Sequence, residues 1–277
     1  PSKHKTMMTP VNYITQIEID SLWDNNKHIV WNLNERVNIL SGINGVGKTT
    51  ILNKLIKCIS NFNKTGSLQH QGVSLKVVPN DANNIRFGVI RSFDKPLPHA
   101  DELLRNTGLW VSELDKQLYE LQRQYLNYQV NIGNKMIEVL QSGSATAAEE
   151  AQQLAQPKTL FQNIIDNLFA DTGKTIIRTA NEVLFKMGNR QLDVHCLSSG
   201  EKQILIILLT VLVENNEPFV LLMDEPEASL HVDWQQQLIQ LILQLNPNVQ
   251  IILTTHSPAV IMNGWIDCVT EVNDIVK

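Results

Sequence analysis

Residues 42–49 read GINGVGKT, and few other eight-residue stretches restrict a fold so tightly. The apolar run just before them (37–41) predicts a strand. Just after them, Ile51, Leu52, Leu55, Ile56 and Ile59 recur at helical spacing. A strand, a glycine turn and a helix joined in this order point successive backbone N–H groups and a helix N-terminus into one concavity. Lys48 adds a cation there and Thr49 a hydroxyl. The ligand this chemistry suits is a nucleoside triphosphate such as ATP. Lys48 would balance the β- and γ-phosphates, and Thr49 would ligate Mg²⁺. Asn44, Gly45, Gly47, Lys48, Thr49 and Thr50 are the candidate binding residues.

The remaining patterning predicts an α/β protein. Strand-like segments occur at 13–19, 28–33, 75–79, 85–90, 175–180 and 182–194, the last broken by a Gly188-Asn189 hairpin turn. From 197 onward apolar runs alternate with helical patterns, as in a parallel sheet covered by helices. The expected fold is a mixed sheet with flanking helices, formed by 1–100 and 173–277, with a helical insertion at 101–172 as an arm or lid. In that insertion Leu114, Leu118, Leu121, Tyr125, Tyr128, Ile132 and Met136 form one helical stripe. The stripe reads either as a hairpin packed on its own protein or as a docking arm. Residues 142–158 read as a loop before a second amphipathic stretch, 160–169.

Charge excludes some partners. The 277 residues carry a net charge of −5, and the insertion has ten acidic residues against five basic ones. No global positive field draws the chain to nucleic acid or anionic lipid, although local DNA contact stays open. No run is long and apolar enough to span a bilayer, and no secretory signal is visible. A cytoplasmic protein is expected, with Cys58, Cys196 and Cys268 as buried free thiols.

Two apolar runs end in chemistry. Residues 219–231, FVLLMDEPEASLH, predict a buried strand ending in Asp224 and Glu225. Asp224 at a carboxyl edge beside the phosphate loop can hold Mg²⁺, and Glu225 can polarise a water. Residues 249–261, VQIILTTHSPAVI, predict another strand, ending in His256, with Ser257 and Pro258 suited to N-cap and N1 of the next helix. A third segment, LSSGEKQ at 197–203, precedes a wholly apolar stretch. On its own it reads as a connector or as an anion-holding helix start.

In this order GxxGxGKT, LSSGEKQ, strand-DEPEASLH and strand-TTHSP resemble the ABC-type ATPases, over about three quarters of the chain. Details such as DEPE and THSP look most like the RecF/SMC/OLD side and the ATPases of bacterial anti-phage systems (PARIS, Septu, OLD-like). The resemblance implies ATP hydrolysis with Glu225, His256 and Lys48 as catalytic residues and Thr49 and Asp224 as Mg²⁺ ligands. It also implies that Ser198, Ser199 and Gly200 form a signature motif contacting the γ-phosphate held by another subunit, so that two copies pair head to tail. A homodimer or larger homo-oligomer, working with a separate nuclease or toxin, is the implied assembly. Only 21 residues follow His256, too few for the Toprim nuclease of OLD proteins. A DNA-clamping repair ATPase is the alternative, and a transporter subunit a more distant one. No glutamine loop is evident beyond Gln69 and Gln71, and no adenine platform beyond Trp23 or Trp31.

Overall fold

The computed structural model describes residues 9–22, 27–91 and 112–277; Trp23 lies outside them. In chain order the first elements are β1 (Tyr13–Ile19), β2 (Ile29–Asn32), β3 (Val37–Ser41), α1 (Lys48–Thr65), β4 (Gln69–His70), β5 (Val73–Val78) and β6 (Phe87–Arg91). Then come α2 (Glu113–Gln141), α3 (Ala147–Leu168), β7 (Lys174–Ile176), β8 (Leu184–Met187), β9 (Arg190–Asp193) and α4 (Ser199–Val213). The last are β10 (Phe219–Asp224), α5 (Val232–Leu245), β11 (Val249–Thr254), α6 (Pro258–Met262) and β12 (Val269–Glu271). Two compact units result. One comprises Pro1–Arg91, Glu217–Glu227 and Asn248–Lys277; the other comprises Ser92–Asn216 and Ala228–Pro247.

The first unit holds an all-parallel sheet, β12-β3-β11-β10-β6, and an antiparallel sheet, β2-β1-β5-β4. A parallel strand covered on both faces must be apolar throughout, and every residue of β10 and β11 is buried. Helix α1 contributes Ile51, Leu52, Leu55, Cys58, Ile59 and Phe62 to a core shared with Ile14, Ile17 and Leu75 of one sheet and Val220, Leu222 and Ile252 of the other. It stops at Gly66, whose φ of 74° suits glycine and whose N–H donates to the Phe62 carbonyl. Trp31 is buried in this core, so it is no adenine platform.

The second unit is mainly helical. The predicted stripe on α2 is buried from Leu114 to Ile132, with Met136 half-buried. The 142–158 loop is a correction: α3 begins at Ala147, and only 142–146 form the connection. The alanine- and glutamine-rich run favours helix. Buried Ala147, Ala151, Phe161, Ile164 and Ile165 give one apolar face that carries the helix through Pro157 despite the proline's missing donor. Tyr125 of α2 meets Phe161 of α3 with ring centroids 6.3 Å apart. Strands β7, β8 and β9 form a small meander that turns at Gly188. The thiols also depart from expectation. Cys58 is buried, and burial pushes it up to about 11, but Cys268 is half-buried and Cys196 exposed.

One buried side chain ties the two sheets of the first unit together. Gln250 of β11 accepts from the Ile14 N–H at 2.8 Å and donates to the carbonyls of Ile14 (2.8 Å) and Asn34 (2.9 Å). Gln250→Leu should take this partner from the Ile14 N–H and carbonyl, while the Asn34 carbonyl keeps its bond from Asn38 Nδ2, and destabilise the unit by about 2–4 kcal/mol, measured as a lower urea midpoint.

Candidate functional site

Register at the carboxyl edge of the parallel sheet builds the first half of the site. Asp224 of β10 lies opposite Thr254 of β11, and Thr254 opposite Leu40 of β3, just before the phosphate loop. The Thr254 hydroxyl donates to Asp224 Oδ1 at 2.6 Å, and the Glu225 N–H donates to that hydroxyl oxygen at 3.1 Å. The Thr49 hydroxyl, in the first turn of α1, also donates to Asp224 Oδ1, at 3.1 Å. Gly45 and Gly47 have φ of 81° and 111°, values that side chains resist, so the loop needs glycine where the motif supplies it. Asn44 and Gly45 are exposed at its tip, Thr49 is exposed, and Thr50 is partly so.

Lys48 is buried, and its ammonium donates to the carbonyls of Gly42 (2.9 Å) and Ile43 (3.2 Å). Burial pulls its pKa below the usual lysine value, against the opposing pull of Glu225, Asp224 and Glu227. Its Nζ is 2.6 Å from His256 Nε2, which in turn lies 3.1 Å from Glu225 Oε1. One ring nitrogen either accepts or donates, so Nε2 cannot satisfy a charged lysine and a carboxylate together. An anion that drew off the ammonium would leave Nε2 free to act as a donor. Glu225 has φ 47°, a left-handed conformation costing a non-glycine residue about 1–3 kcal/mol.

Two residues here escaped the sequence reading. Glu227, buried, accepts from the Thr255 hydroxyl and from the His256 N–H at 3.1 Å, which holds the histidine's backbone. Thr254 orders both acids. Pairing the ends of the two apolar strands in parallel register would have exposed both residues. Ser257 caps α6 as expected, accepting from the Ala259 N–H at 3.2 Å. Gln69 and Gln71 fall on β4 and the turn after it, at the edge of the antiparallel sheet, and neither joins the residues above.

The donor set around Asp224 fits magnesium. Mg²⁺ binds hard oxygens, commonly one carboxylate with phosphate oxygens and water, and here a hydroxyl and a carboxylate oxygen already share one point. Among the described residues no cluster of three or more His, Cys, Asp or Glu side chains could hold a metal by itself.

The LSSGEKQ segment belongs to the second unit. Ser198 is the N-cap of α4, and Glu201 closes a capping box by accepting from the Ser198 N–H at 2.9 Å. A Cβ on Gly200 would stand 2.5 Å from the Ser229 carbonyl, so only glycine allows this approach. Two buried acids brace the helix start. Glu201 pairs with Lys174 at 2.7 Å and accepts from Thr172 at 3.0 Å. Asp115, from the first turn of α2, pairs with Lys202 at 2.7 Å and His195 at 3.2 Å. Burial pushes both carboxyls up, but these hydrogen bonds prevail and hold them below the usual carboxylate range. The stability they contribute is therefore present at neutral pH and is lost as pH falls through their depressed folded values. Asp115→Ala should strand the Lys202 ammonium and cost about 3–5 kcal/mol, while Asp115→Ala with Lys202→Met should recover much of the loss in thermal melts.

Comparisons with known proteins bear on the family and the fold. The family model described as "AAA domain, putative AbiEii toxin, Type IV TA system" matches residues 119–263, just over half of the chain. The Septu protein PtuA of Bacillus thuringiensis is 23% identical over 298 aligned residues, covering 92% of this chain and 74% of PtuA. The "Retron Vc95 probable ATPase" of Vibrio cholerae serotype O1 biovar El Tor is 28% identical over 141 residues, 46% of this chain. The chain spans only 27% of that relative's own length. A solved SMC head, bound to the C-winged helix domain of ScpA, superposes with a TM-score of 0.52 at 15% identity over 91% of both chains, a likeness of fold. With half the sequence matched by one family model, the chain belongs to the family described as "AAA domain, putative AbiEii toxin, Type IV TA system".

Proposed function

We propose that this protein binds and hydrolyses ATP between two of its own copies and uses the cycle to switch a separate effector, a nuclease or toxin, in antiviral defence. The observation that carries the reading is the meeting of Lys48, Thr49, Asp224, Glu225 and His256 at one sheet edge. In this reading the loop N–H groups from Asn44 to Thr50 receive the phosphates, and Lys48 exchanges its carbonyl partners for β- and γ-phosphate oxygens. Thr49 and Asp224 would hold Mg²⁺, which when bound neutralises charge on the phosphates. Glu225 accepts a proton from the attacking water, and its left-handed backbone fixes its direction toward His256. His256 donates from Nε2 toward the γ-phosphate.

Ser198, Ser199 and Gly200 supply the other side of the site. A capped helix start offering N–H groups and hydroxyls is an anion site with a dipole behind it. Placed on the triphosphate of a second copy, it makes ATP the joint between protomers, so occupancy and hydrolysis set whether the pair is closed. The defence assignment is supported by the names of the relatives, a Septu protein and a retron ATPase. Among the described residues no helix is long and apolar enough to cross a membrane.

Glu225→Gln should retain ATP, lower turnover by about 10²–10⁴-fold, and accumulate a nucleotide-bound dimer in light scattering. Parent-like turnover in that variant would remove Glu225 from the proton path. Lys48→Ala and Ser199→Arg protomers should each be inactive yet regain activity when mixed, because one composite site is then intact. Without recovery on mixing, a site shared between chains is ruled out.

A further inference from the structure

Helix α2 carries a second apolar stripe that the described residues of its own unit leave exposed. Leu126, Val130, Gly133, Ile137 and Leu140 are spaced 4-3-4-3, the 3.5-residue period of a helix–helix seam. Each of the first four lies five residues beyond a buried member of the first stripe, about 140° around the helix, so it cannot share that packing. Leu126, Val130, Ile137 and Leu140 are 40%, 52%, 54% and 54% exposed.

From these observations we propose that the distal half of α2 docks on α2 of a second copy, antiparallel, about a two-fold axis at Gly133. Three features select that occupant. First, the period calls for a helix. Second, the stripe reads leucine, β-branched, glycine, β-branched, leucine in either direction, as an isologous contact requires. Third, a glycine in a helix interior is unfavourable relative to alanine, and nothing lies within 4 Å of where the Gly133 Cβ would be. No contact among the described residues calls for it, whereas two helix backbones crossing closely would. The flanking Asn127, Gln129, Asn134 and Gln141 are uncharged, so two copies meet without like-charge repulsion.

Four apolar side chains fall well short of the roughly 1,200 Å² typical of a lasting specific interface. The contact is therefore weak and rapidly exchanging, and it needs no nucleotide, which separates it from the ATP-dependent pairing above. The test uses the full chain without nucleotide, with Cys196→Ser and Cys268→Ser removing the more accessible thiols. Under mild oxidation Asn134→Cys, beside the proposed axis, should form an interchain disulfide at least about ten-fold faster than Lys135→Cys, through high local concentration. Adding Ile137→Glu should abolish that advantage. Gly133→Ala should raise the melting temperature yet weaken self-association in sedimentation velocity, because helix propensity and close approach pull in opposite directions. Equal cross-linking at 134 and 135, insensitivity to Ile137→Glu, or a parent chain that stays monomeric at every concentration would each overturn the proposal. The last result would assign the stripe to a different occupant.

Discussion

Parallel pairing of β11 between β3 and β10 is the constraint behind every distance in the first unit's site. It sets Thr254 beside Asp224 on one side and beside the end of β3 on the other. A slip of one residue would turn the Thr254 side chain to the opposite face and unpair Asp224 from its hydroxyl. Such a slip would also interrupt two strands buried along their whole length. The hydrophobic interior thus enforces the register, and the register positions the acids. Core packing and chemistry are linked through a single hydroxyl.

The second unit solves a different problem, that of holding a polar helix start still. Helix α4 is almost wholly buried and apolar beyond its first turn, so packing anchors its body but says little about the direction of its N-terminus. The capping box and the paired Asp115 and Glu201 supply that direction. Buried ion pairs of this kind add little net stability compared with an apolar substitute, but losing one partner is costly. Their effect is to tie Ser198–Gly200 to the base of α2 and to β7. A displacement of α2 therefore has a direct mechanical route to the signature segment.

Strain and unmet bonding gather where the catalytic roles are proposed. Glu225 adopts a backbone conformation that a glycine would hold without cost, and His256 Nε2 faces a cation and an anion it cannot serve at once. Each arrangement is costly when taken alone. Both are tolerated because the surrounding register leaves no freedom to relax. Stored strain of this kind is characteristic of sites that must be set before a ligand arrives.

The sequence by itself determined the elements whose signal is local. The phosphate loop, the apolar strand ending in Asp224, the apolar strand before His256 (which stops at Thr254, two residues short of the expected end), the serine cap at 257 and the buried stripe on α2 are all written as short-range patterns. Periodicity and turn chemistry act over a few residues. Only the tertiary structure decided what depends on residues far apart in the chain. Glu227 holding the backbone of His256, Thr254 ordering two acids, Gln250 joining two sheets, and Trp31 belonging to the core all follow from strand order, which spacing does not encode. The start of α3 at Ala147 was likewise decided by a packed face that outweighs Pro157. Local patterns register what a segment can become, whereas the cost of burying each polar group is set by neighbours that folding alone supplies.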